Sequence, residues 1–246
     1  MASDSTIISP LPQPPISSRQ LSRKIQFYVV LTTAFALPTI TSSLVFFGHH
    51  NLPAATQGRV LRAVAYEMVG LLCLYAALRY QKRNFTDIGV RIPMQIAEVA
   101  HSFALFLGAF PVAVVVYLAT ISVYRALGFE IPQRFNDSGL FGGQVTSLTV
   151  FWVFLNPFYE ELIVRGFLIT EMEHLYRSEI LPIFVSVTLQ SFYHLYQGLP
   201  AAIVHASTFL LFSIYFVRTR RILPVVMAHM FLDVGALAIF SRHLAK

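Results

Sequence analysis

The chain has 246 residues, of which 56% are hydrophobic and only 12% charged. A soluble domain carries about 25% charged residues, so charge this sparse excludes an ordinary water-soluble fold and points to a polytopic membrane protein. The net charge of +6 would suit nucleic acid, but the basic residues sit in short connections between apolar runs, which makes them a topology signal and no nucleic-acid patch.

Residues 1–24 are polar, hold four prolines and end in Arg19, Arg23 and Lys24. They read as a disordered, basic tail, and 25–246 as a single membrane-embedded domain. Seven apolar segments follow, at roughly 26–47, 62–80, 94–124, 147–171, 181–197, 200–217 and 222–241. Most can cross a hydrocarbon core of about 30 Å at 1.5 Å per residue. The expected fold class is all-α: a polytopic transmembrane helical bundle of about seven (7–8) helices.

The first segment is too long for a signal-peptide core and is expected to stay as a span. The third is long enough to tilt, or to kink at Pro111. Pro182, Pro200 and Pro224 each stand near a helix start, where a missing N–H costs nothing. Gly198 is expected to cap the fifth helix in the left-handed conformation. Segments five and six should then form a tight antiparallel pair. The connection 125–143 is the longest polar one and is expected to fold over the outer face. With the N-terminus inside, the inner connections hold eleven Lys and Arg and the outer ones six. That bias favours a cytoplasmic N-terminus. The single Cys73, in an apolar run, excludes an intrachain disulfide framework and a cysteine-rich zinc site.

The fourth segment carries Asn156-Pro-Phe-Tyr-Glu-Glu-Leu-Ile-Val-Arg165. Three ionisable groups in six apolar-flanked residues are costly, at about 2.5–3.5 kcal/mol each on insertion scales. Glu161 and Arg165 are four apart and share a helix face, so they are expected to pair. Glu160 is turned about 100° away and is left freer to act as a base. Pro157 is expected to kink the helix beside it. The fifth segment contributes His194. The seventh contributes His229 and Asp233, again four apart. A carboxylate with an imidazole can activate water. A second imidazole with a short polar side chain can stabilise an oxyanion, Asp233 either donating when protonated or orienting His229. His194, His229 and a glutamate could instead hold Zn²⁺, although the His-Glu-x-x-His helix pattern is absent. The structural alternative for the whole cluster of Glu160, Glu161 and Arg165 is a buried ion pair that fixes helix register.

These three motifs, in this order, resemble the CAAX prenyl protease type II and bacteriocin-processing (Abi, CPBP) membrane family. Glu-Glu-x-x-x-Arg at 160–165 matches its first motif, His194 its second, and His229-x-x-x-Asp233 its third. Asp87-Ile-Gly89 resembles the loop before its third helix. The resemblance spans about 85–240. It implies a metal-independent glutamic intramembrane endopeptidase without a cofactor. Glu160 and His194 would activate water, and His229 and Asp233 would form the oxyanion site, with Glu161 and Arg165 in support. The implied partner is a prenylated or membrane-associated protein, cut near its C-terminus on the cytoplasmic side. One departure stands out: the second motif usually has Phe where this chain has Gln190, read as a packing change. Asp233 replaces the commoner Asn.

His205, His101, Glu98 and Glu67 fit no motif and are expected to be helix-interface or near-surface residues. The Phe-rich stripes are expected to be lipid-facing or core packing. A membrane scaffold or immunity factor of the same fold, and a metal-dependent membrane hydrolase, are the competing functions. A transporter fits less well, since no two halves look alike. Compact length and short loops suggest the bacterial cytoplasmic membrane, although a relative in the ER membrane would look similar.

Overall fold

The computed structural model describes residues 18–48, 56–129 and 145–244. Among them are seven helices and no strand. Helix α1 runs over 18–47 and contains a π-helical turn at Thr32–Ala36. α2 is Gln57–Tyr80 and α3 is Ile96–Ala126. α4 covers 147–176, with a π-helical stretch at Leu162–Ile169. α5 is Ile180–Tyr193, α6 is Leu199–Thr219 and α7 is Leu223–Leu244. The expected bundle of seven helices is therefore what forms. α1, α2, α3, α6 and α7 are each long and apolar enough to cross a membrane.

Two boundaries differ from expectation. Residues 18–24 belong to α1 and not to a tail, because Arg23 is tied into the bundle by an ion pair with Glu171. Residues 1–17, and most of the connection 125–143, lie outside the described residues. α5 stops at Tyr193, short of the expected end at 197. Its 14 residues span only about 21 Å. Pro111 lies inside one continuous helix, α3.

α4 is the axis of the molecule. Residues 159–169 are buried without interruption, and α1, α2, α5, α6 and α7 all pack on the helix. Such all-round burial is what an apolar helix needs when its few charges must be kept from lipid. Gly70 on α2 makes the closest approach possible: a Cβ there would stand 2.6 Å from the Tyr159 ring. That ring stacks on Phe35, and its hydroxyl donates to the Ala34 carbonyl. Tyr66 donates to the Thr33 carbonyl at 2.6 Å. Both acceptors sit in the α1 π turn, whose altered backbone pairing the two tyrosines satisfy.

At one end of the bundle the basic connections meet acidic residues. Fully buried Glu171 accepts from Arg23 Nε at 2.6 Å and Nη2 at 3.0 Å, and also from Arg83. Arg220 pairs with Glu173, and Arg221 with Glu98 at 2.9 Å. This end holds the starts of α1, α3 and α7 and the ends of α2, α4 and α6, which is the alternation of a serial up-and-down bundle. It gathers the Arg and Lys connections expected to be cytoplasmic. Replacing Glu171 with Ala would leave two part-buried guanidiniums without their carboxylate. The expected loss is about 3–5 kcal/mol, read as a lower thermal midpoint in detergent. An unchanged midpoint would show that Glu171 does not tie α1 to α4.

Candidate active site

Every site residue picked out in the sequence converges on the buried part of α4. Glu160 is 1% exposed. Its Oε2 accepts from Gln190 Nε2 at 2.6 Å and stands 3.7 Å from His194 Nε2. Its Oε1 accepts from Asn156 Nδ2 at 3.1 Å, one turn earlier on the same helix. Two amide donors thus fix the rotamer of this carboxylate and leave one edge toward the imidazole. Gln190 is accordingly more than a packing change: in place of an aromatic ring it presents a donor to the candidate base.

Glu161 points elsewhere. Its Oε1 accepts from Arg165 Nη1 at 3.2 Å and from His229 Nδ1 at 2.7 Å. The expected pairing with Arg165 forms even though Arg165 lies in the π-helical stretch. A carboxylate only accepts, so His229 carries a proton on Nδ1. Glu161, and not Asp233, therefore orients His229. Asp233 Oδ1 lies 3.7 Å from the opposite nitrogen, Nε2. Its side chain is 30% exposed, the most open of the set.

Phe209 on α6 joins these groups. Arg165 stands over its ring at 4.7 Å, close enough for a cation–π interaction. The rings of His194 and His229 lie 5.3 and 6.1 Å from it. A residue read as one of many packing phenylalanines is the aromatic floor of the site.

The turn after α5 places His194. α5 gives way to a 3₁₀ turn, Leu195–Gln197, closed by the Gly198 N–H on the Leu195 carbonyl at 2.8 Å. Gly198 has φ 91° and ψ 157°. This is a positive-φ extended conformation essentially reserved for glycine, in place of the left-handed cap expected from the sequence. Tyr196 N–H donates to Ser42 Oγ at 2.8 Å, anchoring the turn to α1. α5 and α6 then pack along each other, as expected.

Several residues that the motifs passed over belong to this neighbourhood. Glu67 is buried on α2, and its Oε1 accepts from Trp152 Nε1 at 2.6 Å and from Asn156 Nδ2 at 3.2 Å. Asn156 therefore bridges Glu67 to Glu160. His205 bonds Gln197, and Gln197 reaches His194. Glu98 and His101 find partners away from the site, in Arg221 and in Tyr215 Oη at 3.0 Å. Only depth in an apolar run could have marked Glu67, because its partners are an indole and an amide on another helix. Among the described residues no group of three His, Cys, Asp or Glu is placed to hold a metal ion. The two histidines already spend their Nδ1 atoms on Gln197 and Glu161. Cavities of about 680 and 520 Å³ lie between α1 and the end of α2, and none of these site residues lines them.

Comparison with known proteins agrees with the motifs. Residues 142–235 match the model of the Rce1-like family, described as type II CAAX prenyl endopeptidase Rce1-like. This stretch holds all three motifs, and the resemblance to the CAAX protease family holds over it; the Asp87–Gly89 turn lies outside the match. No curated protein and no solved structure matches the chain.

The two carboxylates should separate in stability measurements. Glu161→Leu strips fully buried Arg165 of its carboxylate, an expected loss of about 3–5 kcal/mol. Glu160→Gln keeps the shape but turns one accepting oxygen into an NH₂; the Gln190 amide can turn over to present its unpartnered oxygen, so the expected loss is well below that of Glu161→Leu. Equal midpoints for both variants would refute the division of roles.

Proposed function

We propose that this protein is an intramembrane endopeptidase that hydrolyses a prenylated or otherwise membrane-associated protein near its C-terminus. The observation that carries the reading is Glu160, buried and held by two amide donors, with His194 Nε2 3.7 Å from its Oε2. Atoms at that separation are too far apart to bond each other. A water standing to one side can meet both at about 2.8 Å.

In this reading Glu160 takes the proton of that water as its oxygen attacks the scissile carbonyl. The oxyanion develops near His229 Nε2 and Asp233, the side most open to an incoming chain, with Asp233 protonated so that it donates to the oxyanion and does not repel it. His229 donates from Nε2 when both ring nitrogens carry protons, with Glu161 accepting at Nδ1. Collapse of the tetrahedral intermediate breaks the C–N bond, and the proton on Glu160 passes to the departing amine. No step calls for a metal ion or cofactor, so chelators should leave turnover unchanged. The matched family and the apolar helices support a membrane peptidase. The cytoplasmic face and the bacterial cytoplasmic membrane are part of the proposal.

The test is cleavage of a prenylated C-terminal peptide by the full chain in nanodiscs. Glu160→Gln should lower kcat by about 10²–10⁴-fold, the usual contribution of a general base, while the protein still folds. His194→Gln should act in the same direction. Turnover within a few-fold of the parent for both variants would rule the reading out.

A further inference from the structure

The third histidine, His205, is the polar group that the proposed chemistry leaves unused. It stands on α6 with its ring 4.6 Å from that of His194, tilted by 31°, and stacks at 20° on Phe209. Its Nε2 lies 2.8 Å from Gln197 Oε1, and Gln197 Nε2 lies 3.3 Å from His194 Nδ1. A side-chain amide has one accepting end and one donating end. Gln197 therefore forces opposite roles on the two imidazole nitrogens it touches.

The direction of the chain follows from its far end. His194 Nε2 faces the Glu160 carboxylate, an acceptor-only group, and has no hydrogen-bond partner of its own among the described residues. A lone pair aimed at that oxygen is repelled, which favours the proton on Nε2, where it can also be donated to a water between the two. Nδ1 is then a bare acceptor and needs a donor, which the Gln197 NH₂ supplies. The Gln197 oxygen in turn needs a donor, which His205 Nε2–H supplies. Tyr196 Oη accepts a further bond from the same Gln197 NH₂ at 2.9 Å, consistent with that orientation of the amide. Each group in the series has its one compatible role, starting from the carboxylate.

We infer that Gln197, held by His205, is a positioning residue that locks His194 in the tautomer protonated at Nε2. This rests on the reading that His194 meets the attacking water. It also sharpens it: His194 then offers the water a hydrogen bond and aims it, while Glu160 alone removes the proton. His205 acts through Gln197 and touches neither water nor substrate.

Two measurements test this on the full chain in nanodiscs. The first is the ¹⁵N spectrum of histidine-labelled protein, with the His194 signals assigned by their loss in His194→Asn. The parent should show His194 bare at Nδ1 and protonated at Nε2. Gln197→Glu presents only acceptors to Nδ1 and should reverse that tautomer. The second is peptide cleavage by Gln197→Leu, which should lower kcat by about 10-fold or more with KM within about 3-fold, the scale on which outer partners orient a reacting imidazole. His205→Phe keeps the ring stack but removes the donor, and should lower kcat in the same way but less. The double variant should be no worse than Gln197→Leu, since both act through one bond. A parent spectrum with the proton on Nδ1 would overturn the inference without any variant. Unchanged kcat in folded Gln197→Leu would overturn it too. The spectrum does not depend on turnover, so failure of the peptidase reading, seen as cleavage by Glu160→Gln, is a separate result.

Discussion

Arg165 cannot give up its charge, and it lies at the centre of the bundle with no exposed surface. The rest of the site follows from that constraint. A buried guanidinium needs a carboxylate, and Glu161 provides it at 3.2 Å. The same oxygen also receives His229 Nδ1, so the neutralising group doubles as the support of an imidazole on α7. Phe209 covers the guanidinium face and thereby brings α6 against α4. With Glu161 committed in this way, its neighbour Glu160 is free to be surrounded by neutral donors. Two adjacent residues, about 100° apart on the helix, thus inhabit different chemical settings.

Much of this was legible in the chain. Long apolar runs define the seven helices. The residues with chemistry stood out because charge in such runs is rare, and all six converge in the fold. What stayed hidden has a common cause. Partners on different helices leave no periodic trace in a single sequence. Trp152 on Glu67, Gln190 on Glu160 and His205 on Gln197 are contacts between separate elements of this kind. Nor did spacing reveal the π-helical stretches at Thr32–Ala36 and Leu162–Ile169. Pro157 drew attention as a kink, whereas the altered winding begins five residues later, right after the glutamates. Such stretches are frequent at functional positions because they re-aim side chains within an unbroken helix. The tail boundary was missed because composition alone said nothing of the buried Glu171 waiting for Arg23.

Amides do much of the organising here. Asn156, Gln190 and Gln197 are neutral, so each adds no charge that burial would penalise. Each also carries donor and acceptor on one rigid plane. Asn156 serves two carboxylates at once, Glu67 and Glu160, and so couples α2 to the site through α4. A second buried carboxylate beside a candidate base is costly unless donors share the load. The indole of Trp152 and the amide of Asn156 do that for Glu67.

The shortness of α5 belongs to the same design. A helix carried straight through to Gly198 would place Gln197 three residues past His194 on a continuous α-helical face, with its amide set by helix geometry. Instead α5 ends at Tyr193, and a 3₁₀ turn closed by Gly198 folds Gln197 back toward the His194 ring. Non-helical backbone inside a membrane is tolerated only where protein surrounds it. Ser42 of α1 supplies part of that cover by accepting the Tyr196 N–H. The same glycine then starts α6, which returns His205 and Phe209 to the other side of His194. One turn therefore sets both the position of the imidazole and the groups that fix its proton, and a histidine at the end of a short helix becomes part of a site.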